Sequence, residues 1–290
     1  MDAACSEQRG IRARDAGQHA EAEGHFAMAV LHAPDRSLSW LGLALSQIDL
    51  NRPDEAVTSL RRAQELSPQS AVVSHLIDSL NGNATTRAPD GYVNWLFNTY
   101  APGFDKHLAR LGYQGPGMLH QLAQRAGWTA DGSRSLLDLG CGTGLSGLPF
   151  KPYASRLEGI DLSLSMLAQA DRRGIYDELR HGEIHAVLGE MPVAGYDAVI
   201  AGDTLIYIGN LSELFRLVAD RLKAGGSFLF TVETGSEGFS LASTGRYQQS
   251  DAYLRSCAEG LFEVADRIDA MIRVEAGQFT PARAYRFTKI

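Results

Sequence analysis

Ser135-Leu-Leu-Asp-Leu-Gly-Cys-Gly-Thr-Gly144 is the stretch that decides the fold. A short apolar run here enters a turn with glycine at every second position, 140, 142 and 144. The apolar run reads as a buried strand, and the glycines let the backbone pass a ligand with no Cβ in the way. Two other phosphate-binding strings are excluded. No GxxxxGK[ST] string occurs, and the third glycine of a GxGxxG dinucleotide turn would fall on Leu145. That spacing disfavours an NAD-dependent oxidoreductase.

Downstream, strands and helices alternate. Strands are expected at 157–161, near 179–182, at 196–203, 227–233, 261–268 and 283–289. Helices are expected at 163–173 and 210–223, the latter leading into Gly225-Gly226. Such alternation predicts a parallel sheet covered by helices on both faces. Ligands of these sheets sit beyond the carboxyl ends of the strands. Gly140, Asp161, Glu183 and Asp203 are all expected at such ends.

Upstream the pattern is purely helical and repeats. Pro34 and Pro68 lie 34 residues apart, with Ala29 opposite Ala63, Phe26 opposite Leu60 and Ala22 opposite Ala56. Gly17 falls opposite Asn51 and Gly10 opposite Ala44, and Trp40, Leu43 and Ala44 open the second unit. Small residues let paired helices approach, large ones fill the gap, and proline stops the second helix. A 34-residue period of this kind is the tetratricopeptide signature. Helices are predicted at 3–16, 19–31, 37–50, 53–66 and 70–80. Leu38, Leu41, Leu45 and Ile48 form one stripe, read as an internal or dimer contact in preference to a peptide groove. Residues 81–91, rich in glycine, proline and small polar side chains, read as a linker. A helical lid segment at 92–130 and an α/β domain at 131–290 complete the division.

The 290 residues carry 27 basic and 34 acidic side chains, a net charge of −7. No run of Lys or Arg exceeds two, so nucleic acid is not expected as a partner. No uncharged stretch reaches the roughly 18 residues of a membrane helix. The opening MDAACSEQRGIRARD has no apolar core, so it does not read as a secretory signal. Cys5, Cys141 and Cys257 form no CxxC pair, and a reduced cytoplasm is expected. His181 and His185 straddle an expected strand end, so no metal site is expected.

The GxGxG turn entered from Leu-Asp, acids ending the next two strands, and Leu222-Lys-Ala-Gly-Gly226 together resemble the class I S-adenosylmethionine-dependent methyltransferases. A wider likeness covers nearly the whole chain. Asn94-Trp-Leu-Phe-Asn-Thr-Tyr-Ala-Pro-Gly-Phe-Asp-Lys-His-Leu108, Leu111-Gly-Tyr113, Pro116 and Thr244-Gly-Arg-Tyr247 resemble a predicted-methyltransferase family. Its members are bacterial proteins with an N-terminal tetratricopeptide array. At Thr244 and Gln249 this chain departs from that pattern, which has serine and histidine there.

The resemblance implies an α/β fold: a Rossmann-like domain with a seven-stranded, mostly parallel sheet, preceded by an all-α tetratricopeptide array. It implies S-adenosylmethionine as cofactor and S-adenosylhomocysteine as product. The implied cofactor residues are Asp138, Gly140, Cys141 and Gly142 along the turn. Asp161 would take the ribose, with Leu162 and Met166 in the same set. Glu183 and Ile184 would meet the adenine, and Asp203 would stand beside the sulfonium. Tyr100 and Phe104 are the implied lid aromatics, four apart and on one face if helical.

Methyl transfer needs a general base only when the acceptor is a protonated oxygen or nitrogen. His107, Tyr207, Glu233 and Tyr247 are the candidates. A small-molecule acceptor is favoured over a peptide, protein or carrier-bound one brought by the repeat array. The array also suits a homodimer contact or a protein partner, and a scaffold with a non-catalytic cofactor domain is the remaining alternative.

Overall fold

The computed structural model describes residues 2–275 and 278–290. The chain divides into two units: residues up to Asn83 with Ala242–Gly245, and Ala84–Leu241 with Arg246–Ile290.

The first unit is a helical array of α1 (Ala3–Asp15), α2 (His19–His32), α3 (Ser37–Asp49), α4 (Pro53–Leu66) and α5 (Ala71–Asn81). Each end lies within one residue of the sequence expectation. Ala22, Ala29, Ala44, Ala56 and Ala63 are fully buried, so the small residues do sit at the helix contacts. Phe26 is the wedge between them. A Cβ on Gly10 would stand 2.8 Å from its ring, and one on Gly42 only 2.2 Å. Along the expected Leu38–Ile48 stripe of α3, Leu41 is buried while Leu38 is exposed.

The second unit opens with three helices: α6 (Asp90–Tyr100), α7 (Phe104–Arg110) and α8 (Gly115–Arg125). The expected single helical stretch is broken at Gly103 and Gly112, both at positive φ. The expected linker is only partly free. The Ala88 N–H donates to the Tyr207 carbonyl at 2.9 Å, and the Thr86 carbonyl accepts from Gly209 and Asn210.

The sheet consists of β1 (Arg134–Leu139), β2 (Ala154–Asp161), β3 (Glu178–His181), β4 (Tyr196–Ala201), β5 (Leu222–Thr234), β6 (Phe239–Leu241), β7 (Tyr247–Gln249), β8 (Phe262–Glu275) and β9 (Gln278–Lys289). Strands β3, β2, β1, β4 and β5 pair in that order and in parallel. β9 joins β5 antiparallel, and β8 pairs with β9. Among the described residues the mostly parallel sheet thus has nine strands rather than seven. The additional two, β6 and β7, pair with each other, and β7 meets the last two residues of β5. Three-residue strands are too short to show a period of two, so the sequence carries no signal for them.

Helices α9 (Leu164–Arg172), α10 (Ile184–Glu190), α11 (Ser212–Arg221) and α12 (Asp251–Ala258) complete the unit. The core centres on Phe215 of α11, whose ring meets Phe228, Phe230, Phe262 and Phe287 edge-on at 5.6–6.0 Å. Edge-to-face packing suits aromatic quadrupoles and fixes α11 against β5, β8 and β9. No described helix is long and apolar enough to cross a membrane.

Candidate active site

The glycine turn leaves β1 at Gly140, as expected. Gly140 and Gly142 both hold φ near +60°, which side chains rarely adopt. A Cβ on Gly140 would lie 2.5 Å from Thr204 Oγ1, so the residue after Asp203 packs directly on this turn. Beside Gly142, by contrast, a Cβ would find open space, with nothing nearer than 4.0 Å. The turn is therefore closed on its β4 side and open at Gly142.

Asp161 ends β2 and braces the turn. One oxygen accepts the Gly142 N–H at 2.8 Å and the other the Ser163 N–H at 2.8 Å. Burial raises its pKa, and these two backbone donors oppose that rise. Each carboxylate oxygen has a second lone-pair direction, so acceptor capacity remains for a ligand hydroxyl. Ser163 also caps α9, accepting the Met166 N–H at 3.2 Å, and Met166 is fully buried. The Leu162 carbonyl contacts His181 Nε2 at 3.0 Å.

Asp138 lies fully buried at the entrance to the turn. Its Oδ2 accepts from the Tyr176 hydroxyl at 2.7 Å, while Oδ1 has no hydrogen-bond partner among the described residues. Burial lifts its pKa to about 7. An orphaned buried acceptor is costly unless a ligand supplies a donor. Cys141 is a packing residue: its N–H donates to the Ile160 carbonyl at 2.9 Å, and burial pushes its thiol up, away from the thiolate.

Glu183 does not end β3, which stops at His181. It is the N-cap of α10, accepting the Ala186 N–H at 3.1 Å and meeting His185 Nδ1 and Arg87 Nη1, each at 2.7 Å. Burial raises its pKa, but these hydrogen bonds outweigh it and bring the value to about 2. The helix escaped sequence reading because it is short. Ile184, half-buried, packs against the main core cluster.

Tyr100 and Phe104 do not share a helix, since the chain turns between them. Tyr100 instead stacks on His107 at 5.7 Å, and Phe97 meets both Phe104 and Tyr207 edge-on, at 6.1 and 5.3 Å. The segment is fastened beside the glycine turn by contacts the sequence did not announce. Thr143 Oγ1 donates to Asp105 at 2.6 Å, Arg173 pairs with Asp105, and Ser163 Oγ donates to Asn98 at 2.7 Å. Burial and the nearby Arg110 lower the His107 pKa, which favours the neutral ring.

Asp203 lies two residues beyond β4, at φ +54°. Its Oδ2 takes a hydrogen bond from Arg273 Nη1 at 2.5 Å. Arg273 also donates to Glu233, and Arg246 Nε stands 2.9 Å from the same Glu233 oxygen. Glu275 completes the group, paired with both arginines. Burial raises Asp203 and Glu233, with the arginines opposing. Arg273 and Glu275 have no local signal, because β8 brings Arg273 to Asp203 across 70 positions and Glu275 to Arg246 across 29. Tyr207 is half-buried, and burial of its hydroxyl raises its pKa; Tyr247 is buried and its hydroxyl lies 2.6 Å from Thr85 Oγ1.

The methyltransferase domain family model matches residues 137–230. Human methyltransferase-like protein 27 is 30% identical over 119 residues, which are 41% of this chain and 46% of that protein. A probable S-adenosylmethionine-dependent methyltransferase of Saccharomyces cerevisiae is 33% identical over 104 residues, 33% of this chain and 35% of that one. The chain thus spans less than half the length of these relatives. Among solved structures, magnesium protoporphyrin IX methyltransferase of Synechocystis PCC 6803, with bound S-adenosylhomocysteine, aligns with a TM-score of 0.51. It is 16% identical, over 68% of this chain and 99% of that one.

Residues 137–230, which include the β1 turn, thus match a methyltransferase domain. The open turn at Gly142, the spare acceptor capacity of Asp161 and the orphaned Asp138 oxygen suit S-adenosylmethionine as a cofactor.

Proposed function

We propose that the protein transfers a methyl group from S-adenosylmethionine to a small-molecule acceptor. The observation that carries this reading is Asp161, which braces the glycine turn while keeping acceptor capacity for a ligand hydroxyl. In the proposed arrangement Asp161 holds the ribose, Glu183 and Ile184 border the adenine, and Asp138 receives a donor from the methionine end. Leu162 and Met166 shape the wall behind the ribose.

The cofactor supplies a methyl group on a sulfonium, a leaving group that needs no further activation. The chain's part is alignment in a water-poor site. The aromatic group of Phe97, Tyr100, Phe104 and Tyr207 excludes water. Where an acceptor proton must leave, His107 is the base we assign: it is half-buried and favours the neutral form. Glu233 is engaged by two arginines, and the tyrosine hydroxyls favour protonation or are bonded elsewhere.

A second reading has a peptide, protein or carrier-bound acceptor recruited by the helical array, which we read as tetratricopeptide repeats. Leu31 and Leu38 support it, being large, apolar and exposed on the array. The same exposed leucines suit a homodimer contact. The three free thiols fit a reducing cytoplasm. The test follows S-adenosylhomocysteine release by the full chain with fractionated extract. Turnover with the small-molecule fraction supports the first reading, and turnover with the peptide fraction alone supports the second. Cofactor binding with no turnover in any fraction points to a scaffold.

A further inference from the structure

Five ionisable side chains are packed together at the carboxyl ends of β4 and β5: Asp203, Glu233, Arg246, Arg273 and Glu275. Replacing such a group by apolar residues is often neutral or stabilising, so stability alone does not explain it. Its position does suggest a use. Thr204, next to Asp203, packs on Gly140, so the cluster adjoins the glycine turn on its β4 side.

The members are not equivalent. Glu233 and Arg273 are 3% exposed and Arg246 is 16% exposed, whereas Glu275 is 33% exposed. Glu233 stands 2.9 Å from Arg246 Nε as an ion pair, while both terminal nitrogens of Arg246 donate to Glu275. A guanidinium offering two parallel N–H groups is the geometry that recognises a carboxylate. Glu275 comes from the end of β8, and the other partners of Arg246 do not depend on it.

We propose that the Arg246 fork is the binding site for a carboxylate on the methyl acceptor, and that Glu275 occupies it until the acceptor displaces it. This deepens the methyltransferase reading and rests on it. The exchange leaves the charge of the cluster unchanged, because one carboxylate replaces another. Once Glu275 swings out, two arginines face Asp203 and Glu233 in balance, and Arg246 presents an unfilled fork. Arg273 is the positioning residue, holding Asp203 and Glu233 in place from behind.

The test uses the full chain and acetate, the smallest probe that fills such a fork. In Glu275→Ala the internal carboxylate is gone. Sodium acetate should raise the thermal midpoint of this variant above its value in sodium chloride of equal ionic strength, by about 3 °C. Wild type should respond to the two salts alike. Arg246→Lys in the Glu275→Ala background keeps the charge but loses the fork, and should abolish the acetate effect. Glu275→Gln, which keeps the shape of the side chain, gives the same comparison should the alanine variant not fold. Equal response of both Glu275 variants to the two salts, or an acetate effect that survives Arg246→Lys, overturns the inference. Calorimetry of wild type with S-adenosylmethionine separates the two claims: binding there, with no acetate effect in the variants, removes the carboxylate site and leaves the methyltransferase reading standing.

Discussion

Asp161 Oδ2 accepts the Gly142 N–H at 2.8 Å, so the last residue of β2 holds the turn that follows β1. One carboxylate thereby sets the shape of the cofactor turn and offers its remaining lone pairs to the ligand. Asp161→Ala removes both functions. Its affinity for S-adenosylmethionine should fall at least about tenfold, or about 1.4 kcal/mol. Unchanged affinity by calorimetry removes Asp161 from the site.

Asp138 makes stability depend on pH. Its pKa in the fold, about 7, lies above the ordinary 3.8 because burial penalises the charged form. A raised folded pKa means that the protonated form favours folding. That contribution is complete below about pH 4 and is lost as the pH rises through about 7. Asp138→Asn carries no such titration. The thermal midpoint of the variant should therefore gain on wild type between these limits. Parallel curves for the two proteins would show that Asp138 is ionised throughout.

In the helical array, Gly42→Ala puts a Cβ 2.2 Å from Phe26, a ring already wedged against Gly10. Overpacking of this kind costs about 1–3 kcal/mol. Gly24→Ala is the control, since α2 leaves open space there and alanine gains about 0.5–1 kcal/mol in a helix. Chemical denaturation of the two variants should move the array in opposite directions. Equal shifts contradict the wedge.

Asp105 fastens α7 to the glycine turn through Thr143 and Arg173. The pair is partly exposed, so screening limits its worth to about 0.5 kcal/mol. Asp105→Ala should lower amide protection across residues 90–110 and leave β1 protected. Hydrogen exchange reads this directly, and unchanged protection of α6 and α7 rules out the fastening.

The legible parts of the molecule are those with short-range causes. The 34-residue spacing of small residues located five helices, and the Leu-Asp-Leu-Gly-Cys-Gly-Thr-Gly run located β1 and its turn. Asp161 was found because it closes an apolar strand. Glu183 was misplaced because β3 is four residues long and a seven-residue helix follows it without a strong period. The aromatic cover was read as one helix, although Gly103 breaks it and turns Tyr100 onto His107. The charge cluster was largely hidden. Asp203 reads as a strand-end acid and Glu233 as one of four candidate bases, but their arginine partners come from β8 and the segment before β7. Pairing across 70 positions leaves no periodic trace.

The central claim is that this chain binds S-adenosylmethionine at the β1 turn and the end of β2. Isothermal titration of the full chain with S-adenosylmethionine and, separately, with NAD tests it most directly. The account predicts one cofactor bound per chain, heat lost in Asp161→Ala, and no binding of NAD. Absence of S-adenosylmethionine binding to the wild-type protein, or preference for NAD, contradicts it.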